Sequence, residues 1–139
     1  MEKTQDLIKQ AEKIQKDCSI CSVSSIDENG YPKISIMMSI KNKGIKIFYF
    51  STGASSAKTK HYKINSKSGV TFWKDNDSIT LVGKMQIVKD KKIKDALWQE
   101  WMKEHFSNGG KNDPEYTILK FTAIKGTFWI NNVFKTLKI

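Results

Sequence analysis

Arginine is absent from this 139-residue chain: all 24 basic residues are lysine, set against 14 acidic ones, for a net charge of +10. A surplus of that size invites a nucleic-acid reading. Gripping phosphates and guanine edges leans on the bidentate guanidinium fork, however, and lysine has none. The lysines are also spread along the chain rather than gathered in one stripe. The composition therefore disfavours a nucleic-acid partner and leaves a solvated basic surface that attracts small anions, phosphorylated cofactors among them. Long apolar runs are missing too. None approaches the ~20 residues needed to cross a bilayer, so no membrane partner is expected. The first residues, Met1-Glu2-Lys3-Thr4-Gln5-Asp6, are polar and hold no apolar signal core, which makes the cytoplasm the expected location.

Cysteine is scarce as well, with Cys18 and Cys21 alone. Their C-x-x-C spacing fits a redox pair or half a zinc site. A redox pair usually opens a helix, whose N-terminus lowers a thiol pKa. These two instead enter a β-like stretch, and His61 and His105 do not complete a metal set. The favoured reading is two small buried or half-buried thiols. No repeat, low-complexity tract or linker divides residues 1–139, which fits one domain. No Ser-His-Asp or metal-ligand spacing marks a hydrolytic centre.

The patterning that is present is mostly β. Residues 4–17 read as an amphipathic helix, with Thr4 as a cap and Leu7, Ile8, Ala11 and Ile14 in one stripe. Cys18–Ile26 reads as a strand, closed by the turn signal Asp27-Glu28-Asn29-Gly30. Lys33–Ile40 alternates cleanly, with Ile34, Ile36, Met38 and Ile40 on one face. Lys41–Gly44 predicts a turn and Ile45–Ser51 a third strand, so that these three form an antiparallel meander. A small-residue loop at 52–57 precedes a short basic helix from Lys58 to about Ile64. Strands follow at 70–74 and 78–88. Asp90 caps a helix predicted over 91–106, and a Gly/Pro-bearing loop at 107–114 leads to two final strands, 117–123 and 125–131. Seven closely spaced strands point to an antiparallel β-barrel with helices at its ends.

Chemistry is most legible between Ser51 and Lys58. Hydroxyls from Ser51, Thr52, Ser55 and Ser56, a flexible Gly53 and a lysine at a helix start could cradle a phosphate without arginine. Such loops also often just connect elements, and Ser56 could simply cap the helix. The aromatic stripe Trp98, Trp101 and Phe106 has helical spacing and suits a core or a dimer interface.

Several stretches together resemble one known family. They are Asn29 to Met38 (Asn-Gly-Tyr-Pro-Lys-Ile-Ser-Ile-Met-Met), Ile-Phe-Tyr-Phe-Ser-Thr at 47–52, Ser-Ser-Ala-Lys at 55–58, and Val82 to Asp90. Leu97-Trp98, the loop Phe106 to Pro114 and Gly126-Thr127-Phe128-Trp129 complete the set. In this order the chain is similar to the pyridoxamine 5'-phosphate oxidase-like, FMN-binding split-barrel family, and within it to the general stress protein branch. The resemblance implies a mainly β fold, an antiparallel split β-barrel with flanking helices. It implies a homodimer with FMN in grooves at its interface, and flavin-dependent oxidoreductase chemistry. A flavin-binding or stress-related module without turnover remains the alternative.

Carried over residue by residue, the resemblance places Ser35, Ile36, Met37 and Met38 along the isoalloxazine. Phe50, Ser51 and Thr52 flank the ribityl-phosphate, and Ser56 and Lys58 hold the phosphate. Ser78 touches the pyrimidine side of the ring, and Trp129 is presented by the partner subunit. The family often has arginine at the positions of Ser35 and Ala57, and both are lost here. The cluster of arginine and histidine that vitamin B6 oxidases carry after the late tryptophan is also missing from Asn131–Lys135, so oxidation of that vitamin is not implied.

Overall fold

A computed structural model describes residues 2–139; Met1, the first of the polar N-terminal stretch, lies outside the described residues. Helix α1 (Glu2–Lys16) buries Leu7 and Ala11 and carries Lys13 and Lys16 in its last turn, where the helix dipole favours cations. Strands β1 (Ile20–Ile26) and β2 (Pro32–Met38) form a hairpin from Ile20 opposite Met38 to Ile26 opposite Pro32. The turn between them is built by Asp27, whose carboxylate accepts from the backbone N–H groups of Asn29 and Tyr31 at 2.9 and 2.8 Å.

Beyond β2 the structure departs from a three-strand meander. A short β3 (Lys41–Lys43) occupies the expected turn, and it pairs with β4 (Ile47–Gly53). β4 does not pair with β2; its other neighbour is the long β7 (Tyr116–Ile130). Alternation tells which face of a strand is buried, not which strand lies beside it, so the sequence pattern left this pairing open.

Helix α2 (Ala57–Ile64) then leads to β5 (Lys67–Lys74) and β6 (Asp77–Val88). One antiparallel sheet runs β2-β1-β5-β6-β7-β4-β3, and β8 (Val133–Lys138) also pairs with β7. The sheet curls into a split barrel with flanking helices, and β2 and the C-terminal part of β4 face each other across a cleft. Phe48, Phe72, Phe121 and Phe128 fill its interior with Ile79, Leu81 and Met85, all fully or almost fully buried.

Two predicted strands at the C-terminal end are one, and an eighth strand follows them. β7 runs unbroken through Ile124, where the sequence suggested a break. The register against β6 slips there: Gly83 faces Ala123 while Val82 faces Lys125. A Cβ on Gly83 would run into the Thr122 carbonyl, so this β-bulge requires glycine.

The helix expected over 91–106 is also shorter. α3 spans Lys91–Leu97, capped by the Asp90 side chain on the Lys92 N–H at 2.9 Å. The chain turns extended at Trp98 and Gln99 and resumes as a 3₁₀ turn over Glu100–Glu104. The reason is tertiary. Trp98 and Phe106 both meet Tyr116 edge-on, with centroids 5.1 and 5.3 Å apart, and an unbroken helix would not wrap one ring from two sides. Among the described residues no helix is long and apolar enough to cross a membrane.

The outer face of the sheet is unusual for its apolar content. Ile34, Ile36 and Met38, the clean stripe of β2, point away from the interior, and Ile36 is 59% exposed. At the same level across the sheet lie Ile20 opposite Met38, then Trp73 opposite Ser78, Ser78 opposite Trp129, and Trp129 opposite Phe134. One step along, Thr71, Thr80, Thr127 and Thr136 form a ladder, with hydroxyl pairs at 3.2 Å at either end.

Candidate functional site

β2 ends the sheet on one side, and β3 covers β4 only as far as Tyr49, so β2 and the 50–53 end of β4 are not closed by a ladder to each other. Between them opens a cleft of ≈ 670 Å³. Ile36, Met37 and Met38 line the β2 side, and Ser51, Thr52 and Gly53 the β4 side. Trp101, His105 and Phe106 close a third side. That wall is held by a satellite core in which Leu97, Met102 and Phe106 pack on Tyr49, Tyr116 and Ile118. The Tyr116 hydroxyl donates to the Lys94 carbonyl at 2.7 Å, and burial pushes its pKa up to about 12. Tyr116 is therefore a fixed donor that ties α3 to β7.

The polar end of the cleft is the loop ahead of α2. Ser56 is the N-cap of α2: its hydroxyl accepts from the Thr59 N–H at 3.4 Å and pairs with the Thr59 hydroxyl at 2.9 Å. Thr52 donates to the same Ser56 oxygen at 3.2 Å, and the Thr59 hydroxyl donates to the Gly53 carbonyl at 2.8 Å. The loop is thus ordered by its own hydroxyls before any ligand is considered. Lys58 lines the cleft in the first turn of α2 and, among the described residues, belongs to no ion pair. A carboxylate is also present. One oxygen of Glu115 accepts from the backbone N–H and the hydroxyl of Ser55, each at 3.0 Å.

Behind Lys58 lies a smaller cavity of ≈ 120 Å³, lined by Ser25, Lys33, Ile34, Ser35, Ala57, Lys58 and His61. It sits between the β1–β2 hairpin and α2, where Ser35 and Ala57 present only short side chains.

The residues expected from the sequence distribute themselves as follows. Ile36, Met37, Met38, Ser51, Thr52 and Lys58 meet in the cleft. Ser35 faces the smaller cavity beside Lys58. Phe50 is fully buried in the barrel core, its ring stacked on Phe48 with centroids 6.4 Å apart, and does not line the cleft. Ser56 acts as cap. Ser78 and Trp129 are paired across β6 and β7 on the outer face and do not line the cleft of their own chain.

Sequence reading missed Glu115, Trp101, His105 and the trio Ser25, Glu28 and His61. The Ser25 hydroxyl lies 2.8 Å from His61 Nδ1, and Glu28 is 3.4 Å from His61 Nε2. A signal existed for Ser25, since it follows Cys21 and Val23 in the inward-facing series of β1, a polar residue at a core position. Nothing in the order of residues could have joined it to His61, 36 positions away.

The C-x-x-C pair does not form a site. Both thiols are free, and no cluster of His, Cys, Asp or Glu among the described residues could hold a metal. Burial pushes the Cys21 pKa up to about 12 and raises that of Cys18, the opposite of a reactive pair.

Comparison with known proteins agrees with this geometry. The family model described as "Pyridoxamine 5'-phosphate oxidase like" matches residues 6–139. A solved structure from Clostridium acetobutylicum, of a protein related to general stress protein 26 of Bacillus subtilis (pyridoxinephosphate oxidase family), is similar at 32% identity. The match covers 96% of this chain and 95% of that one, with a TM-score of 0.85. General stress protein 26 from Bacillus anthracis shares the fold at 21% identity and a TM-score of 0.78, over 96% of this chain and 98% of that one. A heme binding protein from Mycobacterium smegmatis shares it at 8% identity and a TM-score of 0.73, over 95% of this chain and 57% of that one. No curated protein matches the sequence.

Proposed function

The chain belongs to the pyridoxamine 5'-phosphate oxidase-like family, and from that premise we propose that it is an FMN-binding flavoprotein, a flavin-dependent oxidoreductase that works as an isologous homodimer. The observation that carries this reading is the cleft between β2 and β4. It joins an apolar end to a polar end where Lys58, among the described residues, belongs to no ion pair. A cleft of ≈ 670 Å³ with few convergent polar groups is the size and character of a cofactor site.

The residues present fit the group. Ile36, Met37 and Met38 offer the backbone of an end strand to an isoalloxazine. Ser51 and Thr52 lie where a ribityl chain needs hydroxyl partners. Lys58, at the start of α2, supplies the cation for a phosphate where helix N–H groups already favour negative charge. No second glycine-rich loop is available for a dinucleotide, which favours FMN over FAD. When bound, the flavin would supply reversible hydride or electron transfer. The protein's part is to orient it and exclude water. His105, in the cleft wall and edge-on to Trp101 at 6.0 Å, is a side chain placed to hold or give a proton at that end.

A second copy of the chain completes the site in this reading. The stripe from Ile36 and Met38 across to Trp129 and Phe134 is more apolar surface than a monomer usually exposes. In an isologous pair each cleft edge on β2 would meet the far end of the partner's row, which brings the partner's Trp129 and Ser78 to the flavin. The two free thiols suit the reducing cytoplasm.

The absorption spectrum of the freshly purified protein, followed by titration of the apoprotein with FMN and FAD, tests the reading. Tighter binding of FMN is expected. Binding of neither flavin, or of FAD more tightly, would overturn it. Oxidation of a reduced nicotinamide by the loaded protein separates an oxidoreductase from a flavin-storing module, which would show no turnover.

A further inference from the structure

The trio Ser25, His61 and Glu28 has no part in the cleft itself, yet His61 and Ser25 wall the small cavity that Lys33 and Lys58 also line. We propose that His61 is a proton-linked cation of the phosphate seat, taking up a proton when a phosphate dianion settles beside Lys58. The inference rests on the FMN reading and adds to it a residue and a pH dependence.

Groups from β1, the β1–β2 turn, β2 and α2 stand around the imidazole. From β1, the Ser25 hydroxyl lies 2.8 Å from Nδ1, inside the protein. From the β1–β2 turn, the exposed Glu28 carboxylate lies 3.4 Å from Nε2, and Asp27 lines the same outer hollow. From β2 comes Lys33, and from α2 itself Lys58 and Lys60. Lysines and carboxylates thus share the surroundings of the ring. A dianion placed by Lys58 adds negative charge there and favours the imidazolium.

Serine is the partner such a ring needs. A hydroxyl donates to Nδ1 when the ring is neutral and accepts from it when the ring is charged. The hydrogen bond survives both states, so Nδ1 keeps its partner on proton uptake. A backbone carbonyl or a lysine in place of Ser25 would lock one state. The cavity supplies the other requirement. Ser35 and Ala57 leave ≈ 120 Å³ open between the imidazole and the two lysines, so the field of a bound anion reaches His61 through little intervening protein.

Isothermal titration of FMN and riboflavin, in buffers of differing ionisation enthalpy, tests this in the wild type and in His61→Gln. Wild-type protein should take up a fraction of a proton with FMN and none with riboflavin. Its FMN affinity should rise on the order of tenfold more than that of His61→Gln between about pH 8.5 and about pH 6.8. The second ionisation of the phosphate ester acts in both proteins alike and cancels in the comparison. Riboflavin binding by the variant reports that it is folded; should it not fold, proton uptake by the wild type at about pH 8, where the phosphate ester is already a dianion, decides alone. Tight FMN binding with no proton uptake would overturn the role of His61 and leave the FMN reading standing. Binding of neither flavin by the wild type would overturn both.

Discussion

One carboxylate oxygen of Glu115, at the foot of β7, accepts from both the backbone N–H and the hydroxyl of Ser55, each at 3.0 Å. It anchors the loop that leads into α2, and Glu115 also lines the cleft on which Lys58 opens. A negative charge this close to the proposed phosphate seat opposes a dianion while it orders the loop. Glu115→Gln keeps an acceptor for Ser55 and removes the charge. FMN binding should tighten by about threefold to tenfold at low salt, and riboflavin binding should change little. Fluorescence quenching titrations of both ligands check it. Weaker FMN binding would show that loop order outweighs repulsion.

Lys58→Ala should weaken FMN about tenfold to a hundredfold, the value of a charge-assisted hydrogen bond of roughly 1.5–3 kcal/mol. Riboflavin has no phosphate and should be nearly indifferent. Equal loss for both ligands would assign Lys58 to the fold.

The outer apolar row sets a third expectation. Ile36 is 59% exposed and Trp129 38%. Ile36→Asp should leave the barrel intact, since the side chain contributes little to the core, but should disrupt the pairing of two chains. Sedimentation equilibrium should then give the 15.9 kDa monomer, where the unaltered chain is expected at twice that mass. A variant that stays dimeric would place the interface elsewhere.

At Gly83 the prediction concerns stability. Alanine there forces apart β6 and β7 where the register slips, because the new methyl meets the Thr122 carbonyl. Overpacking of this kind costs about 1–3 kcal/mol, measurable as a lower urea midpoint. An unchanged midpoint would mean that the bulge can migrate.

The thiols offer a pH test. Burial raises Cys21 from its usual value near 9 to about 12, and Cys18 is raised as well. The folded chain therefore holds these protons more tightly than the unfolded chain. The associated stability is present below about pH 9 and is lost as pH climbs toward 12. Alkylation by iodoacetamide at about pH 8 should be slow for the native protein, slower for Cys21, and fast for both in denaturant. Rapid native labelling of Cys21 would contradict the burial.

Much of this molecule was determined by local chemistry. Asp27 and Gly30 specify the first hairpin turn, Asp90 caps α3 and Ser56 caps α2, because each device acts within a few residues of itself. The hydroxyls and lysine of 51–58 were legible for the same reason, and the absence of arginine directed attention to Lys58. Order and spacing of short motifs were enough to indicate the family. Tertiary structure decided the rest. It paired β4 with β7 instead of β2, which opened the cleft, since strand alternation encodes a face and not a neighbour. It turned the cleanest apolar stripe, Ile34 to Met38, outward, because the curling sheet reserves its interior for Phe48, Phe72 and Phe121. It broke the helix at Trp98, where the packing of two rings on Tyr116 outweighs helical periodicity. And it brought Ser25 to His61 across 36 residues. Hydrogen bonds between distant side chains follow from how the strands and helices stack, and no pattern along the chain records that stacking.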